Sequence, residues 1–226
     1  MQDFRRYAVY WAPQPGDWAS AAADWLGWDP QTGHATVQPD LGVPLADWTL
    51  EPRKYGFHGT VKAPFRLAER WDRGQVSACI ETLCAKFAPF RLQGLSLRRI
   101  GTFLALTPDG DAGALTALAA SMVMGLDAAR APLTPAEIQR RRPERLTQVQ
   151  RDHLERWGYP FVLDEFQFHL SVSDSLAPTD LDRLQPLAEA HFTPHAPRPF
   201  VLSDLCLFGE AEDGRFHLLS RHALTG

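Results

Sequence analysis

Residues Tyr55-Gly56-Phe57-His58-Gly59-Thr60-Val61-Lys62-Ala63-Pro64-Phe65 read as an apolar strand closed by Pro64, with a histidine and a hydroxyl two residues apart inside it. Pro160 to Val172 reads the same way and holds His169-Leu170-Ser171. In both places a helix follows, then Phe90-Arg91-Leu92 or Phe200-Val201-Leu202, then Leu95 or Leu205, then Phe103-Leu104-Ala105-Leu106 or Phe216-His217-Leu218-Leu219. The spacing from histidine to the first of these phenylalanines is 32 residues in one half and 31 in the other. To the last it is 45 and 47. Landmarks that recur in order across half a chain indicate two similar lobes. The repeat divides one bilobal domain, 1–226, into lobe 1 at about 1–110 with the H-x-T and lobe 2 at about 111–226 with the H-x-S.

Further strands are expected at 6–12, 90–100, 102–107, 200–208 and 215–222. Helices are expected at 17–28, with Asp17 as N-cap, and at 73–87, 114–129 and 179–191, the last kinked or broken at Pro186. Pro132 to Trp157 reads as a charged helix in two pieces separated at Pro143. Residues 29–53 form a Pro-, Gly- and Asp-rich connection with one helical turn near Leu45-Trp48. Helices that alternate with strands ending in hairpins give an α+β fold with mostly antiparallel sheets, not a Rossmann sheet.

Composition narrows the function. The 226 residues carry 23 Lys plus Arg against 27 Asp plus Glu, a net charge of −4, which excludes a strongly basic nucleic-acid coat. The length suffices to bury roughly 70% of the unfolded surface. No apolar run is long enough for a membrane helix, and Met1 to Arg6 leads into nothing that reads as a signal peptide. Three cysteines, Cys79, Cys84 and Cys206, do not make a disulfide framework, so a reducing cytoplasm is expected. Neither GxGxxG nor GxxxxGK[ST] occurs, which argues against nucleoside-triphosphate chemistry.

Residues i and i+2 of a strand face the same side, so His58 shares a face with Thr60, and His169 with Ser171. An imidazole beside a hydroxyl, presented twice across a cleft, suits a phosphate. The hydroxyls donate to non-bridging oxygens while one histidine takes a proton from water and the other gives one to the leaving oxygen. This chemistry needs no metal. With eight histidines in the chain, about one H-x-[ST] match is expected by chance. His34-Ala35-Thr36 and His191-Phe192-Thr193 also fit, but neither lies in an apolar strand.

These two motifs, with Arg6-Tyr7-Ala8-Val9-Tyr10 and Trp157-Gly158-Tyr159-Pro160, resemble the two-histidine (2H) phosphoesterase superfamily, and within it a branch of uncharacterised proteins from phosphonate-utilisation operons. The resemblance implies a pseudo-two-fold bilobal fold. It also implies hydrolysis, or in relatives ligation, of cyclic phosphodiesters or 2′,5′ linkages. Gly59 stands where alanine is usual, and Ser171 where threonine is common. The operon association implies a cyclic phosphate of a phosphorylated ribose, with a 2′,3′-cyclic nucleotide or short RNA end as the alternative.

Other residues are secondary. Lys62 has the parity of His58, Tyr7 and Tyr10 have opposite parity so that only one of them can face the cleft, and Arg141 and Arg145 would share a helix face. Lys62, Tyr7, Arg141 and Arg145 are taken as substrate-binding candidates, the arginines for a second phosphate. The bland readings are a solvated lysine, strand packing and a solvated charged face. His191 and His195 have a zinc-like spacing, which Pro194 disrupts. The expectation is therefore a cytoplasmic phosphodiesterase without metal or cofactor, with His58, Thr60, His169 and Ser171 catalytic. Its partner is a small-molecule cyclic phosphate, with no membrane and no obligate protein partner. A catalytically silent phosphate- or nucleotide-binding module is the competing reading.

Overall fold

The run Tyr-Ala-Val-Tyr-Trp forms β1 (Tyr7–Trp11), with all five residues buried. Burial on both faces belongs to the middle of a sheet. The computed structural model, which describes residues 4–226, places β1 there. Met1 to Asp3, at the start of the stretch read as lacking a leader, lie outside the described residues. There follow α1 (Asp17–Leu26), α2 (Leu45–Trp48), α3 (Leu50–Tyr55), β2 (Gly59–Phe65), α4 (Arg73–Cys84), β3 (Phe90–Leu92), β4 (Gly94–Ile100) and β5 (Phe103–Asp109). The second half holds α5 (Gly113–Gly125), α6 (Pro135–Arg140), α7 (Gln148–Trp157), β6 (Leu170–Ser171), α8 (Pro178–Phe192), β7 (Phe200–Leu202), β8 (Asp204–Glu210) and β9 (Phe216–Ala223).

The strands form antiparallel sheets in the orders β2-β1-β8-β9, β4-β5-β6 and β3-β7. The fold is α+β, as expected, but the sheets do not divide at residue 110. Each large sheet joins a hairpin from one half to the motif strand of the other: β6 lies on β4-β5, and β2 reaches β8-β9 through β1. Phe90 of β3 opposes Leu202 and Leu92 opposes Phe200, so landmarks of the two halves pair directly. Loop-closure entropy grows slowly with length, and pairing protects otherwise open edges, so such exchange costs little. The core packs α1, α4, α5 and α8 on the sheets, with Trp25, Ile80, Leu115, Met122, Phe192 and Phe200 all under 2% exposed.

Several expected elements differ. Asp17 is the first helical residue of α1 and Gly16 holds the cap position. The strand expected at 160–172 shrinks to Leu170–Ser171, because a 3-10 turn at Leu163–Glu165, with Leu163 at φ 57°, takes the chain out of extended geometry. Pro186 does not break α8; it is exposed, so the carbonyl deprived of its helical partner can be hydrated. The stretch 132–157 is in three pieces, α6, a 3-10 turn at Pro143–Arg145 and α7, with Arg142 left-handed at φ 49°. Arg141 and Arg145 consequently share no helix face. No described helix is long and apolar enough to cross a membrane.

Candidate active site

β2 and β6 are edge strands of different sheets, and their motifs face one cavity of about 510 Å³ lined by His58, Thr60, His169 and Ser171. The strands meet at Gly59. A Cβ there would lie 2.1 Å from the ring of Phe168, the residue before His169. Gly59 is therefore the contact at which one motif seats on the other.

Both histidines are held by the same local device. His58 Nδ1 lies 2.8 Å from the carbonyl oxygen of Gly56, and His169 Nδ1 lies 2.8 Å from that of Gln167. A carbonyl only accepts, so Nδ1 carries the hydrogen in each ring and Nε2 is left for the cavity. Gly56 supplies its carbonyl from a backbone at φ 71°, where Pro30 already fills the space a Cβ would need. His58 Nε2 is 3.2 Å from Thr60 Oγ1.

The surroundings of the two rings differ. His58 packs against Tyr10, with ring centroids 4.0 Å apart and planes tilted by 34°, and lies 5.6 Å from Tyr55. Burial pushes its pKa down to about 4; the Gly56 carbonyl opposes the shift and the His169 charge adds to it. His58 is thus neutral near pH 7, with a bare Nε2. His169 has Phe103 beside it at 5.6 Å.

Of the secondary candidates, Arg141 lines the cavity, its guanidinium 4.7 Å from the centre of the Tyr159 ring. Lys62 does not. β2 carries a bulge: Thr60 opposes Tyr10 while Lys62 opposes Val9, so the extra residue Val61 reverses the parity after Thr60. Lys62 is buried and donates to the carbonyl of Val123 in the last turn of α5 (3.1 Å), and burial lowers its pKa to about 8. Tyr7 is also misassigned: it packs in the main core, and Tyr10, of opposite parity, faces the cavity. Arg145 is exposed and lies outside the cavity lining. His191 Nε2 lies 2.8 Å from the carbonyl oxygen of Ala21.

Sequence reading missed Tyr55, Tyr159 and Phe103 as lining residues; Arg6 lines the cavity as well. Tyr10, Tyr55 and Tyr159 are three of the chain's four tyrosines. That concentration at one cavity has no local signature, because the three come from β1, the end of α3 and the turn after α7. Arg6 Nη2 donates to Glu210 Oε1 at 2.7 Å, across β1 and β8.

Residues 60–217 match the family described as a protein of unknown function, DUF1045. The chain belongs to this family. Among curated proteins, this DUF1045 chain is 35% identical over 199 residues to a protein named ribose 1,5-bisphosphate phosphokinase PhnN from Janthinobacterium sp. (strain Marseille), covering 84% of the chain and 44% of that protein. It is 33% identical to a protein of the same name from Laribacter hongkongensis (strain HLHK9), covering 96% of the chain and 51% of that protein. The chain spans about half the length of these relatives. Solved structures similar to it include TT0787 of Thermus thermophilus, with 16% identity, 98% of both chains covered and a TM-score of 0.47. Another is E. coli LigT, with 14% identity, 99% of both chains covered and a TM-score of 0.47.

Proposed function

We propose that this DUF1045 protein hydrolyses a cyclic phosphodiester by histidine acid–base catalysis. The observation that carries the reading is the pair of H-x-[ST] motifs on one cavity, each imidazole fixed through Nδ1 so that Nε2 is turned to the cavity, His58's beside the Thr60 hydroxyl. Thr60 and Ser171 donate to the non-bridging oxygens. His58, kept neutral by burial, takes a proton from water as the new P–O bond forms. His169 gives its Nε2 proton to the sugar oxygen as the ring P–O bond breaks. The bound phosphate anion raises the basicity of His58 just when it is needed.

The substrate favoured is a ribose 5-phosphate carrying a cyclic 1,2-phosphate. The relatives' name specifies a kinase for ribose 1,5-bisphosphate, yet this chain matches only about half of them and has no GxxxxGK[ST] loop. The kinase chemistry is then assigned to their remaining half, and the matching half to a neighbouring step. Adding water across the P–O2 bond of the cyclic sugar phosphate gives ribose 1,5-bisphosphate.

³¹P NMR of the EDTA-treated protein with 5-phosphoribosyl 1,2-cyclic phosphate, and in parallel with a 2′,3′-cyclic nucleotide, tests this. Ring opening of the sugar phosphate that disappears in His58→Ala is the expected result. Opening of the nucleotide alone moves the protein to RNA-end chemistry. Binding without turnover of either makes it a phosphate-binding module.

A further inference from the structure

Resting on that reading, we propose that the Arg141–Tyr159 wall of the cavity is a subsite for a second phosphate on the substrate, and that Arg141 is the residue that selects for it.

The donors exceed what one cyclic diester uses. Such a diester carries one negative charge, which the two hydroxyls and two imidazoles already serve. Arg141 adds a guanidinium with no ion pair or side-chain hydrogen bond among the described residues. It is half-buried at the end of α6 and held over the Tyr159 ring. The other arginine of the cavity, Arg6, is bonded to Glu210 through two nitrogens. The cavity's carboxylates are engaged as well: Glu51 with Lys54 at 2.6 Å, and Asp174 with the backbone N–H of Glu51 at 2.9 Å. Arg141 is thus the fork left for a ligand, and a planar fork suits a phosphomonoester's oxygens.

The aromatic rings point the same way. A nucleobase would need a free ring face. Tyr10 has a face against His58 at 4.0 Å, Tyr55 stacks on Phe216 at 4.9 Å, and the Arg141 guanidinium lies 4.7 Å from the Tyr159 ring centre. These three rings are used in packing, and Phe103, the fourth aromatic residue of the lining, has the His169 ring beside it at 5.6 Å. The combination favours a small phosphorylated sugar over a nucleoside.

Calorimetric titration with ribose 5-phosphate, ribose and adenosine tests this without requiring turnover. The wild-type protein and His58→Ala are expected to prefer ribose 5-phosphate over ribose. In Arg141→Gln the ratio of the two affinities falls about 10- to 100-fold, and Arg141→Lys lies between. Arg141 sits in a surface turn outside the core, so its replacement spares the fold. A ratio unchanged in Arg141→Gln, loss of the preference in His58→Ala with retention in Arg141→Gln, or tighter binding of adenosine than of ribose 5-phosphate overturns the subsite. An Arg141-dependent preference without hydrolysis of any diester keeps the subsite and overturns the hydrolase. Hydrolysis with an Arg141-independent preference does the reverse.

Discussion

The segments around His58 and His169 share one local design and sit in two environments. In each, Nδ1 is 2.8 Å from the carbonyl two residues back. But His58 precedes a seven-residue strand and lies against Tyr10 and Tyr55, whereas His169 precedes a strand of two residues that pair with Ala105 and Leu106. The local motif sets which nitrogen faces the cavity. The packing keeps that nitrogen uncharged at neutral pH in His58. From one repeated motif, the fold derives two imidazoles in different surroundings, of which His58 is the one whose pKa burial lowers.

Replacing either histidine gives the largest effect. His58→Ala and His169→Ala should each lower turnover by about 10²–10⁴-fold with folding intact, read by ³¹P NMR and circular dichroism. A diester with a p-nitrophenolate leaving group sharpens the comparison, because such a leaving group needs no proton. It should restore His169→Ala and leave His58→Ala impaired. The opposite pattern would exchange the two roles.

The pH dependence comes next. The folded pKa of His58, about 4, lies below the ordinary value of 6.5, so the unfolded chain binds the extra proton between these limits. His58 therefore disfavours the fold increasingly as pH falls from 6.5 to 4, by at most about 3 kcal/mol, and contributes no such penalty above 6.5. Urea titrations across this range should show that slope in the wild type and its loss in His58→Gln. The acid limb of kcat/KM should fall well below pH 6.5. A limb at 6.5 would mean that His58 is not the desolvated base.

Gly59→Ala probes the contact between the two segments. A methyl group 2.1 Å from the Phe168 ring must displace it, at about 1–3 kcal/mol of stability. Turnover should fall along with the melting temperature, and Phe168→Leu should recover part of both. A tolerated alanine would show that the motifs are positioned from elsewhere. The smallest effect is expected at Lys62, whose role is to cap the last turn of α5. Lys62→Ala should cost about 1–2 kcal/mol in chemical denaturation and leave kcat/KM within about twofold. A large kinetic defect would return Lys62 to the site.

Much of this was legible in the chain because it is local. Apolar, aromatic and β-branched runs around Val9, Val61 and Leu205 marked strands, and the Ala-rich run after Gly113 marked α5. The pairing of His58 with Thr60 and of His169 with Ser171 needed only strand periodicity. Lys62 and Tyr7 were misplaced for reasons that periodicity does not carry. The bulge at Val61 carries Lys62 to the other side of β2, and the choice between Tyr7 and Tyr10 rests on which face of β1 meets the cavity. Arg141 and Arg145 looked equivalent until Arg142 and Pro143 broke the helix between them.

By itself, then, the sequence determined that the fold is α+β, that two imidazole–hydroxyl pairs recur half a chain apart, and which residues make them up. These follow from side-chain periods and spacings, which act over a few residues. Only the tertiary structure decided that each sheet mixes strands from both halves, that Gly59 lets the two motifs meet, and that His58 is the desolvated imidazole. Register, close approach and burial depend on segments far apart in the chain, and a pKa follows the surroundings of a group rather than its neighbours in sequence.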